Sequence, residues 1–574
     1  MDRNTVIAFF LIALVIFLWP LYTKYVMPQP PATTTTTTTP REAPVTTPSD
    51  PSPVSERAQV RQYEPEELTT ESILPEADET FIAIDHPLYQ AVVSNKNGGS
   101  IVSFKLKNYQ KFDSTLVELI NGENWNNLLL SFVSSLDGQE TSLDNHWYTD
   151  NTLETINVNR EVYLSFYTFY NDQRVEKELI FNPDCYKIGI ETNLASISAY
   201  VSQGLFSIGW PNGLPSTEKN TKDDLTYFKG YAFLGDDLHT PRAKNELKME
   251  RLIGQTNWVA VRTKYFITAL IPEQPAPSAE IGGIVKNGGK AKHNVYSVSL
   301  HQSAQEPSLI KLYLGPLEYK RVKGLGVDLD RVMNFGWSFI RPIAKGVLYL
   351  LSKMHKSIPN YGIVLIIFAV LVKILVYPLT KKSHQSTKEM QAVQPLVAEL
   401  KEKYKNNPTK LNQETMALYK EHGVNPLGGC LPLLLQMPLL LALFQVFRST
   451  IELRGAHFVG WITDLSSPDT IFYLPFTVPI YGDQVSVLPL VMGVSMFIQQ
   501  KMMPTQASGQ QKYMSYFMTG FFILLFNNFP SGLNLYYTLF NVLTILQQKY
   551  LTPQQAPSVI TAGKGKKAGK PQKK

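Results

Sequence analysis

Hydrophobic and polar positions change their spacing several times along this chain, and each change marks an element. Residues Asn4 to Thr23 form an uncharged apolar run between Arg3 and Lys24. The run exceeds the apolar core of a secretory signal and lacks a small-residue cleavage site, so an uncleaved transmembrane anchor over 1–24 is expected. Residues 25–79 are rich in Pro and Thr, with an unbroken run from Thr33 to Thr39, and hold too few apolar residues to bury a core. They read as a disordered tether. From about Phe81 the apolar residues alternate. Val102, Phe104 and Leu106 fall on one face and Ser103, Lys105 and Lys107 on the other, the pattern of a half-buried antiparallel strand. The runs EVYLSFYTF, VEKELIF, YKIGIETNL, YSVSLHQS and LIKLYLGP repeat it between Asn and Gly clusters. An all-β sandwich over 80–320 follows.

Helical spacing returns between Arg331 and Leu350. Val332, Phe335, Phe339, Ile343, Val347 and Leu350 share one face, and Arg331, Asn334, Ser338, Arg341 and Lys345 the other. The segment 326–352 is expected to hold an amphipathic helix in a membrane interface, with Trp337 near the boundary and a kink at Pro342. A core helix of the β domain is the competing reading. Tyr361 to Leu379 is then apolar over a length that covers about 28 Å, enough to cross a bilayer, with Lys373 inside it. Such a lysine costs on the order of 3 kcal/mol to insert, so it faces a watery cavity or snorkels toward Lys381 and Lys382.

The segment 381–425 divides into two helical arms around Asn406, Asn407 and Pro408. Met390, Val393, Val397, Leu400 and Tyr404 repeat at 3–4 spacing on the first arm, and Leu411, Thr415 and Leu418 on the second. Together they predict an antiparallel helical hairpin. Its lysines far outnumber the two arginines of the next connection, Arg448 to Gln484, which puts the hairpin in the cytoplasm. Further spans are expected at Leu427 to Phe447, Val485 to Met503, Tyr513 to Phe529 and Leu533 to Gln548, with a tight turn at Pro530, Ser531 and Gly532. With the anchor this makes six crossings, both termini cytoplasmic and the β domain outside.

Composition narrows the chemistry. The chain has 574 residues and a formal charge of +6, concentrated in the tail KGKKAGKPQKK, and its two cysteines, Cys185 and Cys430, fall in different domains. No disulfide framework, metal site or cofactor is expected. HExxH and GxSxG do not occur, and GLGVDL and GIVKNGGKA are incomplete as phosphate loops, so no catalytic residue is assigned. The last five helices carry Lys373, Gln436, Gln445, Gln499, Asn527, Asn528, Asn534 and Asn541, yet no Asp or Glu. That argues against an ion-coupled transporter, which uses intramembrane carboxylates. It favours a hydrated indentation that lowers the barrier to moving a polar segment through hydrocarbon. A solute transporter or channel and an anchored carbohydrate-active β domain stay as alternatives.

The segments VNPLGGCLPLLLQMPLLLALFQVF, VYPLTKKS, MGVSMFIQQKMMP and FPSGLNLYY resemble the YidC/Oxa/Alb family of membrane protein insertases, in its Gram-negative bacterial form. The resemblance implies a polytopic α-helical membrane protein with six transmembrane helices, five of them an insertase core over 358–552, and a large periplasmic β-supersandwich. It implies an inner-membrane insertase and chaperone, not an enzyme, that serves nascent membrane proteins alone or with the Sec translocon. The family's groove arginine falls on Lys373, which keeps the charge and loses the bidentate fork. A family threonine one turn earlier falls on Ala369. Gln436, Met437, Pro438, Asn534, Tyr536 and Tyr537 are the other expected groove residues, with an interface belt as the competing reading for the tyrosines. Met390, Val393, Val397, Leu400, Leu411 and Leu418 are expected to receive clients in the cytoplasm. Lys564, Lys566, Lys567, Lys570, Lys573 and Lys574 of the tail, 553–574, are expected to meet the ribosome or anionic lipid.

Overall fold

The computed structural model of the chain describes residues 78–121, 126–288, 291–424, 431–478, 481–502 and 509–551. The anchor, nearly all of the tether, Cys430 and the lysines of the tail lie outside them. Alternation does build sheets between Phe81 and Pro316. Strands Leu116–Asn121, Ser100–Gln110, Tyr89–Ser94, Phe81–Asp85 and Thr155–Asn157 form one sheet in that order. A larger sheet of 13 strands holds the rest of the domain. Pairing is antiparallel except between Phe81–Asp85 and Thr155–Asn157. Trp147, Trp210, Trp258, Phe104, Phe166 and Phe206 are fully buried among the inward faces.

The turn that joins Tyr89–Ser94 to Ser100–Gln110 is tight. Gly98 and Gly99 have φ of +65° and +98°, and a Cβ on either would stand 2.8 Å from the ring of Trp147 or of Phe166. Only glycine permits both the backbone and the contact. Beneath it Lys177 is buried and donates to Asn97 O at 3.0 Å and Leu128 O at 2.7 Å. Burial pulls its pKa down to about 7. A neutral amine has two N–H donors, which match the two carbonyls.

Between sheet and helices the chain is fastened rather than loose. Buried Arg262 donates to Val332 O, Thr263 O and Lys264 O, and Trp258 donates to Val327 O at 2.8 Å. The first long helix, α1 (Arg341–His355), has Pro342 in its first turn. The expected kink is therefore corrected: proline starts this helix, where its missing N–H costs nothing. The expected apolar face is corrected too. Residues before Ile340 are out of phase with the helix, so Phe339 and Trp337 are exposed, and Ala344, Val347, Leu348 and Leu351 form the buried stripe.

Helix α2 (Tyr361–Ala392) runs through the charged boundary without stopping. Helices α3 (Gln394–Lys403) and α4 (Pro408–Glu421) follow, with Asn407 capping α4 by accepting from the Lys410 N–H at 3.1 Å. The bundle continues with α5 (Leu431–Ser449), α6 (Val487–Met502), α7 (Gly509–Phe526) and α8 (Ser531–Leu546). Pro530 caps α8, so Ser531 and Gly532 are its first residues and the turn is Asn527 to Phe529. Among the described residues, Tyr361–Pro378 combines spanning length with high apolarity, whereas Val487–Met502 and Tyr516–Phe526 are apolar but shorter. A 16-residue helix such as α6 reaches only about 24 Å.

The β domain meets the bundle through charge. Asp223, in the five-residue helix Thr221–Leu225, pairs with Lys264 at 2.8 Å and with Arg448 at the end of α5 at 3.0 Å. Burial alone would raise this carboxyl, but the two cations outweigh it and hold it below its usual range. Arg454 pairs with Glu218 at 2.8 Å and donates to Gln110 O.

The Lys177 amine generates a pH prediction. Its folded pKa lies below its unfolded one, so the unfolded chain binds the extra proton between about pH 7 and 10.5, and stability rises with pH across that window. Thermal melts of the full chain in detergent, read by tryptophan fluorescence, should show a slope of up to ~1.4 kcal/mol per pH unit. Lys177→Met should abolish that slope and, at pH 9, destabilise by roughly 2–4 kcal/mol because two buried carbonyls lose their donor.

Candidate client groove

Lys373 lies 12 positions into α2, about 18 Å from its start, and Thr544 lies 13 positions into α8, at nearly the same depth. The lysine does not reach back toward Lys381. Its side chain turns into the bundle, 8% exposed, and Nζ donates to Thr544 Oγ1 at 2.7 Å. The Phe540 ring stands 4.5 Å from Nζ, a cation–π contact. The Thr544 hydroxyl in turn donates a hydrogen bond to Phe540 O at 2.7 Å. The expectation that only water or a visiting chain solvates this ammonium is thus corrected, because a threonine already supplies one acceptor. Two of its three N–H donors remain.

Thr544 belongs to a polar stripe along α8. Asn534, Thr538, Asn541, Thr544 and Gln547 recur at three- and four-residue spacing, and all are buried. Asn541 donates to Ser495 of α6 at 3.3 Å, and Gln547 to Thr380 of α2 at 3.2 Å. Between α6 and α7, Gln500 donates to Thr519 at 2.6 Å. Sequence reasoning named Asn541 and missed Thr544, Ser495, Thr380, Gln547 and Thr519. The 3–4 spacing on α8 was the available signal, since a buried polar stripe inside an apolar helix faces other helices or water.

The remaining expected groove residues separate. Asn534 is no open groove wall: it sits in the first turn of α8 and donates to Phe526 O at 3.1 Å and Phe529 O at 3.4 Å, closing the end of α7. Tyr536 is 1% exposed and its ring lies 6.0 Å from Phe368 of α2. Tyr537 is half-buried, edge-on to Phe526 at 5.5 Å. Both hydroxyls are buried without a partner among the described residues, which an interface belt would not require. Ala369 is buried on α2, where a hydroxyl would need a partner too. On α5, Met437 is 41% exposed, and Gln436 and Pro438 are half-buried.

In the hairpin of α3 and α4, Val393, Val397 and Val424 pack together, with Met390, Leu418 and Tyr419 against them. Four of the expected reception residues are therefore engaged in holding the arms, and Leu400 and Leu411 are half-buried beside them. The surface left outward is mostly polar and charged but also shows Leu396 and Met416, 37% and 61% exposed.

Removing the threonine acceptor tests the buried pair. Thr544→Val should lower thermal stability in detergent by roughly 1–3 kcal/mol, and combining it with Lys373→Met should recover most of the loss, because the charge that needed the hydroxyl is gone.

The geometry can be set beside known proteins. Residues 353–557 match the family described as 60Kd inner membrane protein, and residues 81–349 match the YidC periplasmic domain. The membrane protein insertase YidC of Chlorobium luteolum is 36% identical over 99% of this chain and all of its own length. That of Chloroherpeton thalassium is 36% identical over the whole of both. A crystal structure of an active YidC insertase with its first transmembrane domain resolved overlaps 83% of this chain and 93% of its own, at 16% identity and a TM-score of 0.35. With more than a third of positions shared from end to end, and both the periplasmic and the membrane region matched, the chain belongs to the YidC family of membrane protein insertases.

Proposed function

We propose that this insertase moves the polar end of a nascent membrane protein through the region bounded by α2, α6 and α8, with Lys373 as its fixed positive charge. The observation that carries the reading is the Lys373 ammonium, turned inward at mid-helix and satisfied by a hydroxyl rather than by a carboxylate. A carboxylate would neutralise it. A threonine leaves it cationic and still short of acceptors, so an acidic or carbonyl-rich client segment gains by passing it. The unpartnered hydroxyls of Tyr536 and Tyr537 offer further donors one to two turns away along α8. Each polar contact replaces hydration that the client loses, and burial of its apolar helix supplies the drive.

In this reading the anchor, α2, α5, α6, α7 and α8 are the six crossings, both termini are cytoplasmic, and Met437 on α5 presents an apolar surface to the client's hydrophobic part. The hairpin of α3 and α4 receives clients with its outer surface, charged and carrying the exposed Leu396 and Met416, the valine cluster being the clasp. Short clients are inserted by this chain alone and longer ones beside the Sec translocon. The lysines of the tail attract the ribosome or anionic lipid.

Insertion assays in reconstituted vesicles test the charge. Lys373→Glu should lower insertion of clients with acidic translocated segments by roughly tenfold, equivalent to ~1.4 kcal/mol, while Lys373→Arg should retain it. Photocrosslinkers at 373, 436 and 537 should each capture a stalled nascent membrane protein. Equal insertion by Lys373→Glu for every client, with no crosslink from 373, would remove the lysine from the path.

A further inference from the structure

The connection between α5 and α6 contains an element that the sequence pattern did not announce. Strands Thr470–Val478 and Gly482–Ser486 pair as an antiparallel hairpin. Its root is rigid. Asp469 accepts from the N–H groups of Val487 at 3.1 Å and Leu488 at 2.8 Å, at the start of α6, and Trp461 donates to the same carboxylate. Asn527, in the α7–α8 turn, donates to Tyr481 O at 2.9 Å and Gln484 O at 2.6 Å. Gly482 has φ +92°, and a Cβ there would stand 2.9 Å from Asn528 Oδ1. The hairpin therefore lies across the end of the bundle, against the α7–α8 turn.

Most of the large apolar side chains on its first strand are nevertheless half exposed or more, and Tyr473 has Lys219 of the β domain 6.0 Å from its ring. Phe472 is 50% exposed and Phe476 63%. Ile471 and Tyr473 are exposed as well, and alternation along a strand sends them to the face opposite Phe472. No charged residue occurs from Thr470 to Tyr481. A hairpin apolar on both faces, with an open edge, is an aggregation site in water. A protein partner would cover one face. Lipid covers both, and this hairpin is continuous with two helices of the membrane region. Exposed Val459 and Trp461 sit in the same connection, and tryptophan and tyrosine are the residues that favour the head-group level.

We propose that the hairpin Thr470–Ser486 is a lipid-binding element, seated at the boundary of head groups and acyl chains in the periplasmic leaflet. The side of the membrane rests on the family's periplasmic β domain, which docks at this same end of α5 through Asp223 and Arg448. Its occupant is the lipid surface itself. Seated there, the hairpin fixes the depth of the bundle's outer end.

Depth measurements on the full chain test this. With Cys185 and Cys430 changed to serine, an environment-sensitive fluorophore is placed in turn at Phe472→Cys, Tyr473→Cys and, as a water-exposed control in the β domain away from its junction with the bundle, Gln173→Cys. The protein is reconstituted in vesicles of phosphatidylethanolamine and phosphatidylglycerol. Both hairpin labels should be quenched by phospholipids brominated near the top of the acyl chain, and should be at least several-fold less sensitive to iodide than the control. Iodide quenching equal to the control, without bromolipid quenching, would place the hairpin in water and overturn the proposal. Protection from both quenchers, or bromolipid quenching on one face only, would overturn it in favour of a covering protein. Two labelled faces keep the test decisive if one variant folds poorly, and client insertion by the same vesicles reports separately on the insertase reading.

Discussion

A cation held in the middle of an apolar bundle without an anion sets the terms for everything around it. Lys373 costs several kcal/mol in hydrocarbon, and the fold answers with the smallest polar group available, the Thr544 hydroxyl, and with the face of Phe540. That answer forces α2 and α8 to stay in register at one depth. It also explains why α8 carries its polar residues on a single stripe: Asn541 ties to Ser495, Gln547 to Thr380 and Thr544 to Lys373, so most of the stripe fixes a neighbouring helix. Interhelical hydrogen bonds of this kind are individually worth about 0.6 kcal/mol. Their number and their placement on one helix make α8 the axis of the bundle.

The β domain is built to a different economy, and the junction shows how the two are reconciled. In the sheets, apolar alternation and large aromatic side chains dominate, and polar burial is confined to single fasteners such as Lys177 under the Asn97 turn. At the junction the fasteners are charged and shared. Asp223 serves Lys264 of its own domain and Arg448 of α5, so loss of the bundle contact would leave it one cation and an exposed edge. Arg454 repeats the device with Glu218. Partly buried pairs are screened little by salt, which makes this docking more rigid than a surface contact of the same size. A large extramembrane domain held in this way can hold the outer ends of α5 and of the hairpin that follows it.

How far the chain could be read from its residues depended on the length of each pattern. Alternation from Val102 to Leu106 and its repeats gave the sheets, and the apolar run from Tyr361 gave α2, because both are long against the period that defines them. Lys373 was legible as a site for the same reason, a charge in a run that excludes charge. The misreadings are local. Phe335, Phe339 and Val347 look like one helical face only if Pro342 is inside the helix; once it stands at the start, the phase is lost. The Thr470–Ser486 hairpin has no alternation to betray it, since both faces are apolar and a proline interrupts the strand. Val393 and Val397 carried the right spacing, but spacing cannot distinguish residues that bind a partner from residues that bind the other arm. The threonines of α8 were passed over because a hydroxyl is cheap in a membrane helix when it bonds its own backbone, as Thr538 and Thr544 do; only the coincidence of depth with Lys373 gives Thr544 its second task.

That second task bears on why the charge is lysine with a hydroxyl partner rather than an ion pair. A buried lysine and carboxylate hold each other so firmly that breaking them costs more than a passing chain can return. A single hydroxyl acceptor commits only one of three N–H donors, so a client carbonyl or carboxylate can be added without first displacing anything. The ammonium, being a compact point charge, imposes no planar geometry on what approaches it. Under the proposed path, a site that accepts many different polar segments gains from attraction without a fixed fit. The five apolar spans named from the sequence hold no Asp or Glu, and a resident anion there would compete with each client for Lys373.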